Sequence, residues 1–222
     1  MIVFTFIISF SIEIGRMLGP GALVKLLSGS YHSPVEEERI FMFLDLNDST
    51  EIAEKLGHIR FTEFKNEFFY DIADLILDSN GEVFQYVGDE VVLTWKLKDG
   101  LKNSRWIKFF FNIKKKIKSR AEIYSNEFGV TPEFKAGCHS GIVFTSEVGD
   151  LKKSIVYNGD TINTAARIES ECRKLGRELL VSEELINQTD INSYFNSEKI
   201  GPISLKGKSN NITLFTIMEK NG

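Results

Sequence analysis

Residues 40–50 read IFMFLDLNDST. The first seven, residues 40–46, are almost continuously apolar and of strand length, which predicts a central strand buried on both faces. Asn47, Asp48, Ser49 and Thr50 follow with helix-capping chemistry, and Glu51 and Glu54 suit the first turns of the helix they start. An aspartate at the end of a buried strand is costly unless it is paired or used, so Asp45 is a candidate functional carboxylate. Its alternative is a capping role. A strand that runs straight into a helix also leaves backbone N–H groups free at residues 47–50. Those donors, with the helix dipole, suit a polyphosphate.

The next segments extend the pattern. After a pause at Gly57, Phe61, Phe64, Phe68, Ile72 and Leu75 recur every three or four residues, the apolar stripe of a helix that ends at Ser79-Asn80-Gly81. EVFQYV and EVVLTWK then read as two strands around Gly88-Asp89, a hairpin signal. If the hairpin lies beside the first strand, Asp45 and Asp89 project from one sheet edge. Two carboxylates there, completed by substrate phosphates, are how Mg²⁺ is held. Taken alone, Asp89 is an ordinary turn residue.

A second amphipathic helix is expected from about residue 101 to 127, with Trp106, Phe110, Ile113, Ile117 and Tyr124 inward and a row of lysines outward. FKAGCHSG and IVFTSEV look like two strands joined near Gly141, and SIVYNG leads into the helix TINTAARIESECRKL. There Asn163 and Arg167 are four apart and share a face, an amide and a guanidinium able to hold a phosphoryl group and a ribose. Lys206, in LKGK at a strand end, can neutralise terminal phosphates. LLVS, EKIGPISLK and ITLFTIME are strand-like, with a last turn at residues 208–211. The interleaving predicts one α+β domain, a mixed or antiparallel sheet with helices on one face.

The chain has 222 residues, 42% hydrophobic and 26% charged, enough for one generous folded domain and too little for two. A net charge of −4 argues against a nucleic-acid partner. Cys138 and Cys172 form no zinc motif and fit a reducing, cytoplasmic setting. Residues 1–12, MIVFTFIISFSI, are apolar but shorter than a membrane span. They read as the cytoplasmic end of a membrane helix, or else as a short helix packing on the domain or a partner. Gly15, Gly19, Pro20 and Gly21 make the following stretch a connector, so residues 1–38 are expected to be an extension and 39–222 the catalytic domain.

FMFLDLNDST, EVFQYVGDEVV, IVYNGDTINTAARIES and LKGK stand in the order and spacing of a class III adenylyl/guanylyl cyclase catalytic domain, which this sequence resembles from about residue 40 to 219. The resemblance implies a ferredoxin-like βαββαβ core with extra strands and a head-to-tail homodimer with active sites between subunits. It implies two Mg²⁺ or Mn²⁺ per site on Asp45, Asp89 and the Leu46 carbonyl. Asn163 and Arg167 would act from the other subunit, Lys206 on the triphosphate, and residues 47–50 with Gly88 would line the substrate site. The reaction implied turns ATP or GTP into a 3′,5′-cyclic nucleotide and pyrophosphate. Base selection departs from the pattern: Gln85 stands where Lys or Glu is usual, and Val156 where Asp or Thr is frequent. An amide serves either purine, so ATP is placed ahead of GTP on prevalence. Diguanylate cyclases share a related hairpin, but the turn here lacks their second glycine and their phenylalanine. A cyclase-like module that senses nucleotide or dimerises without turnover is the alternative.

Overall fold

The computed structural model describes residues 4–6, 8–10, 31–150, 153–191, 194–205 and 211–220. They fall into two compact units: residues up to Glu37 with Ile142–Gly159, and Glu38–Gly141 with the chain from Asp160 onward.

In the larger unit β1 (Val35–Leu46) is followed by α1 (Ser49–Leu56), α2 (His58–Asp78), β2 (Glu82–Val87) and β3 (Glu90–Lys96). Then come α3 (Leu97–Leu101), a 3₁₀ turn (Lys102–Ser104), α4 (Arg105–Ser119), α5 (Ala121–Phe128) and β4 (Phe134–Val148), whose far end enters the smaller unit. After β5 (Ser154–Asn158) the chain continues as α6 (Asp160–Leu175), β6 (Leu179–Ser182), α7 (Glu183–Gln188), β7 (Phe195–Ile203) and β8 (Ile212–Glu219). Strand order is β2-β3-β1-β4-β6-β8-β7. The first four strands and their helices are thus a βαββαβ unit with β1 and β3 inside. β4 and β6 pair in parallel and the other registered pairs are antiparallel, so the sheet is mixed.

β1 is buried at six consecutive positions, Arg39 to Leu44, as a strand flanked on both edges and covered on both faces must be. Ala136, Cys138, Leu179 and Val181 join the large core with Phe64, Phe68, Trp106 and Phe110 from α2 and α4. Leu180 and Leu214 point the other way, into a second core with Ile168 and Cys172 of α6. Helices therefore cover both faces, where a single helical face was expected. Aromatic packing accounts for much of the phenylalanine: the Phe134 ring lies 5.6 Å from Phe68 and 5.4 Å from Phe110, and Phe64 lies 5.4 Å from Phe128.

Two boundaries differ from the sequence reading. The long second helix is broken at Asn103 and Ser104, both at positive φ, and again at Arg120. Its inward residues are nonetheless buried as expected. Gly141 joins no two strands but sits within β4, where its missing side chain makes room for Thr161, whose Oγ1 would be 2.7 Å from a Cβ. The last turn, residues 208–211, lies largely outside the described residues.

In the smaller unit the end of β4 pairs antiparallel with β5, Phe144 opposite Asn158 and Val148 opposite Ser154. Glu37 accepts hydrogen bonds from Tyr31 and Thr145, tying residues 31–37 to that hairpin. Phe4, Phe6 and Phe10 are helical and exposed. Among the described residues no helix is long and apolar enough to cross a membrane.

Candidate active site

The register of three strands places the carboxylates. Asp45 stands opposite Glu90 across β1 and β3, and Val87 stands opposite Glu90 across β2 and β3. Only Gly88 and Asp89 lie between, with Gly88 at φ 63°, the left-handed geometry that a two-residue hairpin needs and glycine takes without strain. Asp89 is thereby delivered to the end of the sheet where β1 delivers Asp45. Burial raises the Asp45 pKa most, Lys135 opposes that, and the neighbouring Asp89 carboxylate raises it further by charge and by a hydrogen bond.

Lys135 comes from β4, the other neighbour of β1. Its ammonium, only 13% exposed, donates to Asp45 and lies 3.1 Å from Glu169 of α6. Burial works to lower the Lys135 pKa, but the bond to Asp45 and the charge of Glu169 outweigh it. The Glu169 pKa is raised, first by burial, against the pull of Lys135. Glu90 is pushed up to about 7 by burial and then by Glu169, Asp45 and Asp89. Two of these four carboxylates, Asp45 and Glu169, meet the one ammonium, so acids outnumber cations in a half-buried place. α6 can come this close because Gly137 of β4 has no side chain: a Cβ there would meet the Glu169 amide nitrogen at 2.1 Å.

Beside this cluster opens a cleft of about 490 Å³. Asp45, Leu46, Asn47, Asp48, Ser49 and Thr50 line it, with Lys135 and the C-terminal turn of α6. The Asn47 N–H donates to the Glu133 carbonyl at 2.8 Å, which anchors the loop after β1. Helix α1 begins at Ser49 as the capping pattern implied, but its N-cap Asp48 makes no side-chain cap bond. The donors at the helix start are left for something else.

Asn163 and Arg167 share a face of α6 as expected, exposed and half-buried respectively. At about 100° per residue, Arg167 stands about 200° around the helix from Glu169, away from the side that meets Lys135. Among the described residues neither Asn163 nor Arg167 bonds to Asp45 or Asp89, and the Arg167 Nη1 is buried without a hydrogen-bond partner. Gln85 is exposed on β2 at a bulge, opposite Val92. The Gly88 carbonyl accepts from Lys65 Nζ at 2.7 Å. Val156 lies on β5 opposite Ser146, in the smaller unit. Lys206 lies outside the described residues.

Among the described residues no three His, Cys, Asp or Glu side chains are arranged to hold a metal unaided. Asp45 and Asp89 do fit the other kind of site, in which one or two carboxylates and substrate phosphates share a Mg²⁺. Their closeness is the reason, the Asp89 carboxylate acting on Asp45 by charge and by a hydrogen bond. Sequence reasoning missed Lys135, Glu169 and Glu90. Their signals were a lysine between Phe134 and Ala136 in an interior strand, a glutamate inside the Ile168–Cys172 stripe, and the residue next to the turn aspartate.

Comparison with known proteins bears on the family and the fold. Residues 32–219 match the family model described as the adenylate and guanylate cyclase catalytic domain. Adenylate cyclase 2 of Rhizobium meliloti (strain 1021) is 33% identical over 210 residues, 95% of this chain, and the chain spans 58% of that relative's length. The fold is similar to that of a bacterial light-regulated adenylyl cyclase, with TM-score 0.79 and 21% identity over 97% of this chain and 62% of that one. It is also similar to the guanylate cyclase domain of RhGC from Catenaria anguillulae in complex with GTP, with TM-score 0.69 and 19% identity over 84% of this chain and all of that one. Because that family match runs over residues 32–219, most of its length, the chain belongs to the adenylate and guanylate cyclase catalytic domain family.

Proposed function

We propose that the chain converts a nucleoside triphosphate, ATP ahead of GTP, into the 3′,5′-cyclic nucleotide and pyrophosphate. The observation that carries this reading is Asp45, which lines a cleft of ligand size and has the Asp89 carboxylate beside it at the same sheet end. The adenylate cyclase relative favours ATP; Gln85 and Val156, near the base in this reading, do not decide it.

In the reaction the ribose 3′-oxygen bonds to the α-phosphorus, the bond to the β-phosphate oxygen breaks, and pyrophosphate leaves. Asp45, Asp89 and the Leu46 carbonyl would hold two Mg²⁺ or Mn²⁺. When bound, these supply positive charge for the attacking oxygen and the phosphates. Lys135, its bond to Asp45 exchanged, remains as a cation for phosphate oxygens, with Glu169 fixing its position. Residues 47–50 offer backbone donors, Gly88 keeps the turn tight, and Lys206 takes part in holding the triphosphate. Arg167 uses its unpaired Nη1 on the charge that grows at the α-phosphoryl group, and Asn163 orients the ribose. Both lie on the side of α6 turned from their own Lys135, which supports action on the site of a second subunit in a homodimer. Little covalent chemistry falls to the protein, so catalysis is positioning and charge. Residues 1–38 serve as extension and connector to residues 39–222, and the exposed Phe4, Phe6 and Phe10 support attachment to a membrane's cytoplasmic face or to an upstream partner.

The test is cyclic nucleotide production by the purified chain, given ATP or GTP with Mn²⁺ or Mg²⁺. Cyclic AMP is expected, with Asp45→Asn and Asp89→Asn reduced to background while still folded. In the same samples Mn²⁺ raises the melting temperature of the wild type by mass action and raises that of each variant less. Full activity in either variant overturns the metal assignment. No product from either nucleotide, at concentrations where a dimer forms, leaves a nucleotide-binding module without turnover.

A further inference from the structure

We propose that Arg173 is a ligand for the pyrophosphate end of the substrate, and that Asp48 holds it in place until that group arrives. This rests on the reading above in one respect, that the occupant of the cleft is a polyphosphate. Arg173 rises from the last turn of α6, and Asp48 lies in the loop after β1, 125 residues away. Arg173 Nη2 donates to Asp48 Oδ1 at 2.8 Å, joining two residues that line the same cleft as Lys135.

Asp48 is set up unusually for this contact. Its φ is 51°, a left-handed conformation that strains a residue bearing a side chain. An aspartate at an N-cap ordinarily folds its carboxylate onto the first N–H groups of its helix, and this one does not. The carboxylate instead occupies the guanidinium, standing where a phosphate oxygen would stand. Meanwhile the helix start is left uncapped by its own aspartate.

The pair is easy to exchange. Its side chains are 79% and 56% exposed, and an ion pair in water holds weakly. Of the other cations lining the cleft, Lys135 is half-enclosed between Asp45 and Glu169 and Arg177 pairs with Glu198 at 2.9 Å, so Arg173 is the most exposed of the three. A planar guanidinium takes two phosphate oxygens at once, which a single carboxylate contact does not match. Glu51 and Glu54 also line the cleft and keep it acidic, so the occupant is a metal–pyrophosphate group rather than the bare anion. That group is shared by the substrate's β- and γ-phosphates and by the released product.

The two partners then have opposite effects, which a merely structural ion pair would not produce. The probe is inorganic pyrophosphate with Mg²⁺, titrated calorimetrically into the full chain, alongside KM for the nucleotide. Arg173→Ala is expected to weaken pyrophosphate at least about tenfold and raise KM, with Arg173→Lys intermediate. Asp48→Asn, which removes the competitor, is expected to tighten binding about threefold. Cyclic AMP, which lacks the β- and γ-phosphates, binds all three variants as it binds wild type. The proposal falls if Arg173→Ala binds pyrophosphate normally, if Asp48→Asn weakens it as Arg173→Ala does, or if wild type fails to bind at millimolar concentration. The expected binding pattern in a chain that makes no cyclic nucleotide would sustain Arg173 and remove only the turnover reading. Turnover with unchanged pyrophosphate binding in Arg173→Ala would do the reverse.

Discussion

At Gly137 the space for a side chain is already filled by backbone: a Cβ would stand 2.1 Å from the Glu169 nitrogen and 2.4 Å from its Cα. A flexible side chain could swing away, but a helix can move only as a body. Gly137→Ala is therefore expected to cost about 3 kcal/mol, at the upper end for overpacking, and a urea denaturation midpoint will measure it. The shift also carries Glu169 away from Lys135. Asp45 was legible in the sequence because a charge ending a buried strand is an anomaly, and Asp89, an ordinary turn residue by itself, because the hairpin signal set it at the same sheet edge. Lys135 and Glu169 were not, because each looks like an ordinary charged residue until the other, 34 positions away, is beside it. Gly137 gives no sign at all in sequence, since its φ is unremarkable and the reason for glycine is a different element.

The β2–β3 hairpin is the element that carries Asp89, and two things hold its turn: the left-handed Gly88 and the Lys65 ammonium on the Gly88 carbonyl. A Cβ at Gly88 would meet nothing within 4 Å, so the cost of Gly88→Ala is conformational alone, about 1–2 kcal/mol. Because the strained turn bears the aspartate, the variant is also expected to need more Mn²⁺ for half-maximal turnover, which a metal titration of activity reads directly. A normal Mn²⁺ requirement would separate Asp89's position from the turn's geometry. The hairpin was readable because its turn chemistry is local. β4 was not read as one strand, since a glycine that spares Thr161 looks in sequence like one that ends a strand. The same limit applied to the helix after β3. Its apolar period continues across Arg120, so the inward residues were identified while the break was not.

For the molecule as a whole, the consequential arrangement is that α6 presents Glu169 on one side and Asn163 with Arg167 on another. If these complete a site in a second copy, Asp89→Asn and Arg167→Ala damage different halves of each site. Each alone is expected near background, and an equal mixture should recover about a quarter of wild-type turnover, since half the dimers are mixed and each has one intact site. Assay of mixtures across ratios checks this; no recovery rules out sites shared between subunits. The alternation of strand and helix signals predicted one α+β domain and the βαββαβ core came with the family resemblance, whereas the helix on the opposite face depended on which way Leu180 points, a matter of register that periodicity does not fix. That strand order has a consequence for synthesis. β1 pairs with β3 on one edge and with β4 on the other, and β4 begins only at Phe134. At translation rates of about 5–20 residues per second, a nascent chain that has already joined β1 to β3 waits seconds with the far edge of its most apolar strand open. The protein's central strand is thus its aggregation hazard on the ribosome, until the segment bearing Lys135 arrives to close it.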